Sequence, residues 1–125
     1  VSCAQYWKDQ EKSAAAGHLS KKYLCAMVAG YGSVEVLKWA RKQGFQWGSF
    51  TCKKAARNGH LDVLKYAHEN GCPWDEDICS WAAAEGHLET LKYAHENGCP
   101  WDENTCSRAA LTGHLDALQY AHEND

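Results

Sequence analysis

The sequence predicts an all-α fold, a helical-repeat solenoid of stacked antiparallel helix pairs. Three observations support this prediction. Sequence features recur every 27 residues, apolar residues form short stripes with helical spacing, and a glycine follows each stripe where a helix would end. A fixed period of this length is typical of solenoids, in which each unit buries its apolar face only against its neighbours.

The 27-residue interval is clearest in a Gly-His-Leu motif that begins at Gly59, Gly86 and Gly113. An alanine pair precedes each copy, and a tryptophan lies twelve residues before the glycine of each copy. These tryptophans are Trp47, Trp74 and Trp101. We expect them to stack along one edge and to pack between layers, with a role in binding as the alternative.

The repeats are expected to form a single domain over residues 1–125. Four of them follow from the period, at 22–48, 49–75, 76–102 and 103–125. Residues 1–21 are expected to cap this array with one further helix from Cys3 to Ala16. The expected total is therefore about nine helices.

Within a repeat, the first helix is predicted from Ile78 to Glu85, an alanine-rich stretch that ends at Gly86. Asp75 lies where an N-cap belongs, and Asp102 has the same place in the next repeat.

The second helix is predicted from Leu88 to Asn97. Leu88, Leu91 and Ala94 form one stripe, and Gly98 supplies a left-handed C-cap. Helices of about ten residues are marginal alone, so their stability must come from stacking. A leucine-rich repeat is the competing architecture, but Asn97 falls one residue late for that motif. The segment also carries Glu89, Lys92 and Ala94 where a strand would prefer β-branched residues.

The phrase AAxxGHLxxLxYAxxxG, at residues 55–71 and 82–98, resembles the ankyrin repeat. The resemblance covers residues 22–125. Ankyrin units have 33 residues, and these lack six after the closing glycine, where CPWD replaces the projecting β-hairpin. The resemblance implies a binding scaffold without catalysis or cofactor. It also implies that His60, His87 and His114 brace a turn through a hydrogen bond.

First-helix positions vary among the repeats, whereas the second helix hardly changes. Two variable columns lie four residues apart and hence on one helical face. They contain Met27, Lys54, Trp81 and Arg108, and Tyr31, Asn58, Glu85 and Thr112. Ile78 begins the same face, together with Leu24, Thr51 and Thr105. Because Trp and Arg are favoured at binding hot spots, we predict that this first-helix, concave face binds a protein partner. The alternative is an unconstrained surface.

The charge of the chain disfavours nucleic acid as a partner. The net charge is −3 and the pI is near 6.2, whereas a phosphate-binding protein is usually basic. The charge is unevenly distributed, with +6 on residues 1–71 and −9 on residues 72–125. No apolar run has the length needed to cross a bilayer.

The cysteines are expected to be reduced. Those at 25, 52, 79 and 106 would lie on successive layers about 8–10 Å apart, too far for disulfides. A reducing compartment such as the cytoplasm follows from this expectation. Because the chain opens at Val1 rather than Met, we expect a fragment or a processed form, and an organelle after removal of a targeting segment remains an alternative.

Zinc or redox chemistry is a further alternative. His68, Cys72 and Cys79 provide ligand types that zinc prefers, and the set recurs one repeat later. Duplication explains that recurrence, and a fourth ligand is not obvious. A Cys72–Cys79 disulfide is a similar alternative. We therefore expect no metal, cofactor or catalytic site.

A last alternative is a structural subunit of a larger assembly that is held by the ends of the solenoid. The final repeat has no distinct polar cap, and Leu115, Leu118 and Tyr120 would leave an apolar end.

Overall fold

The computed structural model describes residues 21–124, which form eight α-helices. The helices are α1 (Lys21–Tyr31), α2 (Val34–Lys42), α3 (Ser49–Arg57), α4 (Leu61–Glu69), α5 (Asp77–Ala84), α6 (Leu88–Glu96), α7 (Glu103–Leu111) and α8 (Leu115–Glu123). The prediction of an all-α repeat fold is confirmed over these residues. The expected capping helix from Cys3 to Ala16 lies outside them. None of the eight helices is long and apolar enough to cross a bilayer.

The helices form four pairs, α1 with α2, α3 with α4, α5 with α6, and α7 with α8. The first helices of successive pairs contact one another extensively, α1 with α3, α3 with α5, and α5 with α7. The second helices of successive pairs contact one another less. We use the name first-helix face for the exposed sides of α1, α3, α5 and α7.

The ends of the helices follow the local sequence closely. α5 and α6 begin and end within one residue of the predicted limits. Asp102 caps α7, since its Oδ1 accepts a hydrogen bond from the Asn104 N–H at 2.9 Å. Asp75 accepts from the Asp77 N–H at 3.1 Å. Gly86 and Gly98 have φ of +74° and +80°, the left-handed conformation expected after each helix.

The core is a column of small and medium apolar side chains that runs through all the described pairs. Leu37, Leu64 and Leu91 of the second helices are fully buried. The first helices contribute cysteines and paired alanines to the same cluster. These small residues let neighbouring first helices approach closely, which positions their remaining side chains in one continuous face.

The tryptophans pack between layers, as predicted. Trp47, Trp74 and Trp101 are half-buried against the core. The guanidinium carbon of Arg41 lies 4.3 Å from the centroid of the Trp47 ring. Histidines six residues before the other two tryptophans replace this arginine and stack on the indole rings.

Candidate partner-binding surface

The first-helix face carries large apolar side chains that the core does not use. Met27 is 41% exposed, Tyr31 82% and Phe50 54%. These residues lie on α1 and α3, on the opposite side of each helix from the buried cysteines Cys25 and Cys52. A cluster of exposed apolar residues is typical of an interaction site.

A cavity of about 410 Å³ lies between α1 and α3 on this face. Its lining includes Met27, Gly30, Tyr31, Phe50, Lys54 and Asn58. The Asn58 side chain joins the two helices, because its Nδ2 donates a hydrogen bond to the Gly30 carbonyl at 3.2 Å. Most of the residues that line this cavity are apolar, and Lys54 is the charged residue among them.

A second cavity, of about 270 Å³, lies further along the same face. It is lined by Arg57, Trp81, Ala84, Glu85 and Arg108. The Arg57 guanidinium carbon lies 5.7 Å from the Trp81 ring centroid, and its Nε is 4.0 Å from Glu85 Oε1. This cavity combines an indole ring with two guanidinium groups.

Lys53 borders the same tryptophan, with its Nζ 5.9 Å from the Trp81 ring centroid. The ammonium group is paired with two carboxylates, Asp77 at 3.1 Å and Asp75 at 3.3 Å. Burial alone would lower the pKa of Lys53, but hydrogen bonds to these carboxylates outweigh burial and raise it. The positive charge of Lys53 is thus balanced by carboxylates of the protein itself.

The structure brings together seven of the predicted partner-binding residues in the two cavities. Met27, Tyr31, Lys54 and Asn58 line the larger one, and Trp81, Glu85 and Arg108 line the smaller one. Thr112 is exposed but lines neither of these cavities. Its hydroxyl donates a hydrogen bond to the Arg108 carbonyl at 2.7 Å at the end of α7.

The prediction that Ile78 belongs to the exposed face is wrong. Ile78 is fully buried, as are Thr51 and Thr105 at the equivalent positions. Ile78 lies four residues before Ala82, on the side of α5 that belongs to the core. Ile78 therefore packs in the core and is not available to contact a partner.

Phe50 and Arg57 line the cavities but were not among the predicted contacts. A sequence signal for both existed. The column of Phe50 contains Tyr23, Asp77 and Asn104, and the column of Arg57 contains Gly30, Ala84 and Leu111. Both columns vary among the repeats as much as the two columns from which the partner contacts are predicted.

Two of the three histidines predicted to brace a turn, His60 and His87, form hydrogen bonds to the preceding pair. His60 Nε2 donates to the Gly30 carbonyl at 3.0 Å, and His87 Nε2 donates to the Arg57 carbonyl at 3.0 Å. Each carbonyl belongs to the end of the preceding first helix. The predicted bracing hydrogen bond therefore joins two repeats, and it holds the helix ends that border the cavities.

The described cysteines are free thiols, and most are buried. Burial raises the pKa of the Cys25 thiol from 9.0 to about 11, so this thiol stays protonated at neutral pH. A hydrogen bond between Cys52 and Cys72, together with burial, also raises the pKa of Cys52, and the same hydrogen bond lowers the pKa of Cys72. Protonated, buried thiols are poor nucleophiles.

The side chains of the zinc hypothesis have separate partners. The ring of His68 stacks on Trp74, while the Cys72 thiol donates to the Gly48 carbonyl at 3.3 Å. Across residues 21–124, no three His, Cys, Asp or Glu side chains are grouped as metal ligands would be.

The pair α7 and α8 exposes apolar side chains. Leu115 is 63% exposed, and a cavity of about 350 Å³ is lined by Cys106, Leu115, Leu118, Gln119 and His122. Cys79 and Leu91, the equivalents of Cys106 and Leu118 one repeat earlier, are fully buried.

Comparison with known proteins gives a match to one family. Residues 79–122 match the family model of ankyrin repeats that occur in many copies. The matched region begins within α5 and ends within α8. A search of curated proteins gave no match.

Proposed function

Residues 79–122 match the ankyrin-repeat family, and on that premise we propose that the chain is a non-catalytic module whose first-helix face binds a partner protein. Ankyrin repeats are generally protein-protein interaction modules. The observation that supports this face most strongly is the cluster of exposed Met27, Tyr31 and Phe50 beside the Trp81 and Arg108 cavity.

The side chains of this face are those that contribute most to binding energy in protein interfaces. Trp, Tyr and Arg are enriched at hot spots, and hot spots cluster in pockets. Trp81 and Arg108 share one cavity, whereas Tyr31 lines the other. The core is complete without these side chains, so binding supplies a reason for large residues at these positions.

The experiment is affinity capture from a lysate of the source organism with two variants beside the unchanged chain. Trp81→Ala/Arg108→Ala alters the proposed face. Lys65→Ala/Glu69→Ala is the matched control, because both residues are exposed on α4 and their charges cancel. We expect one protein to be retained by both the unchanged chain and the control. The same protein should bind the face variant more weakly, by over about 1 kcal/mol.

A thermal melt separates a binding defect from a folding defect. The face variant is expected to melt close to the unchanged chain. A large drop in its melting temperature would place Trp81 in the core instead, and equal capture by all three baits would contradict binding at this face.

A structural subunit held by its end is the second candidate, and the open cavity at Leu115 favours it. Leu115→Lys tests this candidate in the same capture experiment. If an assembly holds the solenoid end, Leu115→Lys will abolish capture and Trp81→Ala/Arg108→Ala will not.

A further inference from the structure

We propose that the segment bound by the first-helix face is an acidic peptide that places one large apolar side chain in the cavity between α1 and α3. This inference rests on the proposed function, because it specifies the partner of the same face. A carboxylate of the same peptide reaches Arg108 beside Trp81.

The charge of the two helices that form the larger cavity favours an acidic occupant. Neither helix carries an acidic residue, and α3 carries three basic ones, Lys53, Lys54 and Arg57. Lys53 is neutralised by Asp75 and Asp77, whereas Lys54, which lines the cavity, forms no ion pair with the rest of the described chain. Opposite charge on a partner would steer its approach and fix its register.

The interior of the same cavity favours an apolar anchor. Met27, Tyr31 and Phe50 supply its exposed apolar surface, and its volume of about 410 Å³ lies in the range of pockets that hold small organic groups. A peptide with acidic residues alone would leave this surface uncovered. The best occupant therefore combines an aromatic or long aliphatic side chain with flanking carboxylates.

The second cavity extends the site along the face. Arg108 forms no ion pair with any residue of the described region, and Arg57 is held only at 4.0 Å by Glu85. A guanidinium group binds a carboxylate through two parallel hydrogen bonds. The indole of Trp81 provides an apolar surface against which the peptide backbone or a side chain can pack.

α3 connects the two cavities, since its Phe50 and Lys54 line one and its Arg57 lines the other. The larger cavity lies between α1 and α3, and the smaller one is lined by α3, α5 and α7, so their centres are about one and a half helix spacings apart. Because neighbouring helices lie about 8–10 Å apart, this separation is roughly 13 Å. An extended peptide advances about 3.3 Å per residue and covers this span with about four residues. The apolar anchor and the carboxylate at Arg108 should therefore be about four residues apart in the peptide.

The test is selection of a random 12-residue peptide library displayed on phage with the unchanged chain as bait. The expected consensus contains at least two acidic residues and one large apolar residue at the spacing given above. A synthetic peptide of that consensus is then measured by fluorescence anisotropy. Its Kd is expected to weaken at least fivefold with Lys54→Ala/Arg108→Ala and at least fivefold with Tyr31→Ala, and to weaken at high salt.

Lys65→Ala/Glu69→Ala is again the control and should leave the Kd unchanged, and thermal melts verify that every variant folds. The inference would be overturned by an empty selection, by a basic consensus or by a consensus without acidic residues. Equal binding of the peptide to the unchanged chain and to Lys54→Ala/Arg108→Ala would also overturn it. If lysate capture still depends on Trp81 and Arg108 in that case, the proposed function stands and only the partner chemistry is wrong. If capture also shows no dependence on the face, both fail.

Discussion

The imidazole ring of His68 lies flat against the indole of Trp74, with ring centroids 3.7 Å apart and planes 13° from parallel. His68 belongs to α4, and Trp74 lies in the loop that leads to α5. The ring of Tyr93, on α6, meets both of these rings edge-on, at 6.3 Å from His68 and 6.4 Å from Trp74. The shortened loop after each closing glycine thus inserts a tryptophan between successive second helices.

The same arrangement one repeat later provides a test of its contribution to stability. His95 stacks on Trp101 with centroids 3.9 Å apart. We expect a double-mutant cycle with His95→Ala and Trp101→Ala to give a coupling energy of about 0.5–1.5 kcal/mol in urea unfolding. His122 is the matched control, because no tryptophan of the described chain stacks on it, and His122→Ala should change stability by under about 0.5 kcal/mol. Strictly additive effects of the first pair would contradict a stabilising stack.

Two glycines with the same backbone conformation should respond differently to alanine. Gly59 has φ of +73° and Gly71 has φ of +86°, so both substitutions incur about 1 kcal/mol of left-handed strain. A Cβ at Gly59 would lie 2.7 Å from the His87 ring, whereas one at Gly71 would meet nothing within 4 Å.

Gly59→Ala must therefore displace His87 and weaken its hydrogen bond to the Arg57 carbonyl. We expect it to cost at least about 1 kcal/mol more than Gly71→Ala in chemical denaturation. Equal costs would show that the histidine does not brace the preceding repeat.

The sequence predicts the helices of this protein well because their limits depend on local chemistry. Gly86 and Gly98 end helices by adopting positive φ, and Asp102 begins one by capping it, all within a few residues of the chain. The burial of Ile78 depends on the neighbouring first helices, which no local pattern specifies. The contribution of Phe50 to a cavity likewise depends on the approach of α1 and α3, although its variable column was visible.

Two buried threonines at equivalent positions should differ in what their hydroxyls contribute. The Thr51 hydroxyl accepts a hydrogen bond from the Gly48 N–H at 3.3 Å, whereas Thr105 Oγ1 is buried without a partner among the described residues. Because valine has the same shape, we expect Thr51→Val to cost about 0.5–1.5 kcal/mol and Thr105→Val to be neutral or stabilising by up to about 1 kcal/mol. Thermal denaturation of both variants measures the difference, and a costlier Thr105→Val would show that its hydroxyl is satisfied.

The buried thiols predict a loss of stability in alkali. Burial raises the pKa of Cys25 from 9.0 to about 11, and a hydrogen bond with Cys79, together with burial, raises that of Cys99. Between pH 9 and 11 the unfolded chain releases thiol protons that the folded chain retains. The free energy of unfolding therefore keeps the whole contribution of these thiols below pH 9. Above pH 9 it falls as pH rises, by up to about 1.4 kcal/mol per pH unit for each such thiol.

Urea midpoints at pH 7.5, 9 and 10.5 measure this decline. Cys25→Ala removes one of the titrating groups, so its stability should fall less steeply between pH 9 and 10.5. An identical slope in the variant, or stability that rises with pH, would contradict the assigned direction.

The most direct test of the central claim, that the first-helix face binds the partner, is site-specific photocrosslinking. A benzophenone-bearing phenylalanine replaces Tyr31, which is 82% exposed on the first-helix face, or Val36, which is 47% exposed on the second helix of the same pair. Each protein is irradiated in a lysate of the source organism, and crosslinked products are identified by mass spectrometry. The account predicts one dominant partner adduct from position 31 and none from position 36. Adducts from position 36 alone, equal yields from both positions, or no adduct at position 31 would contradict it.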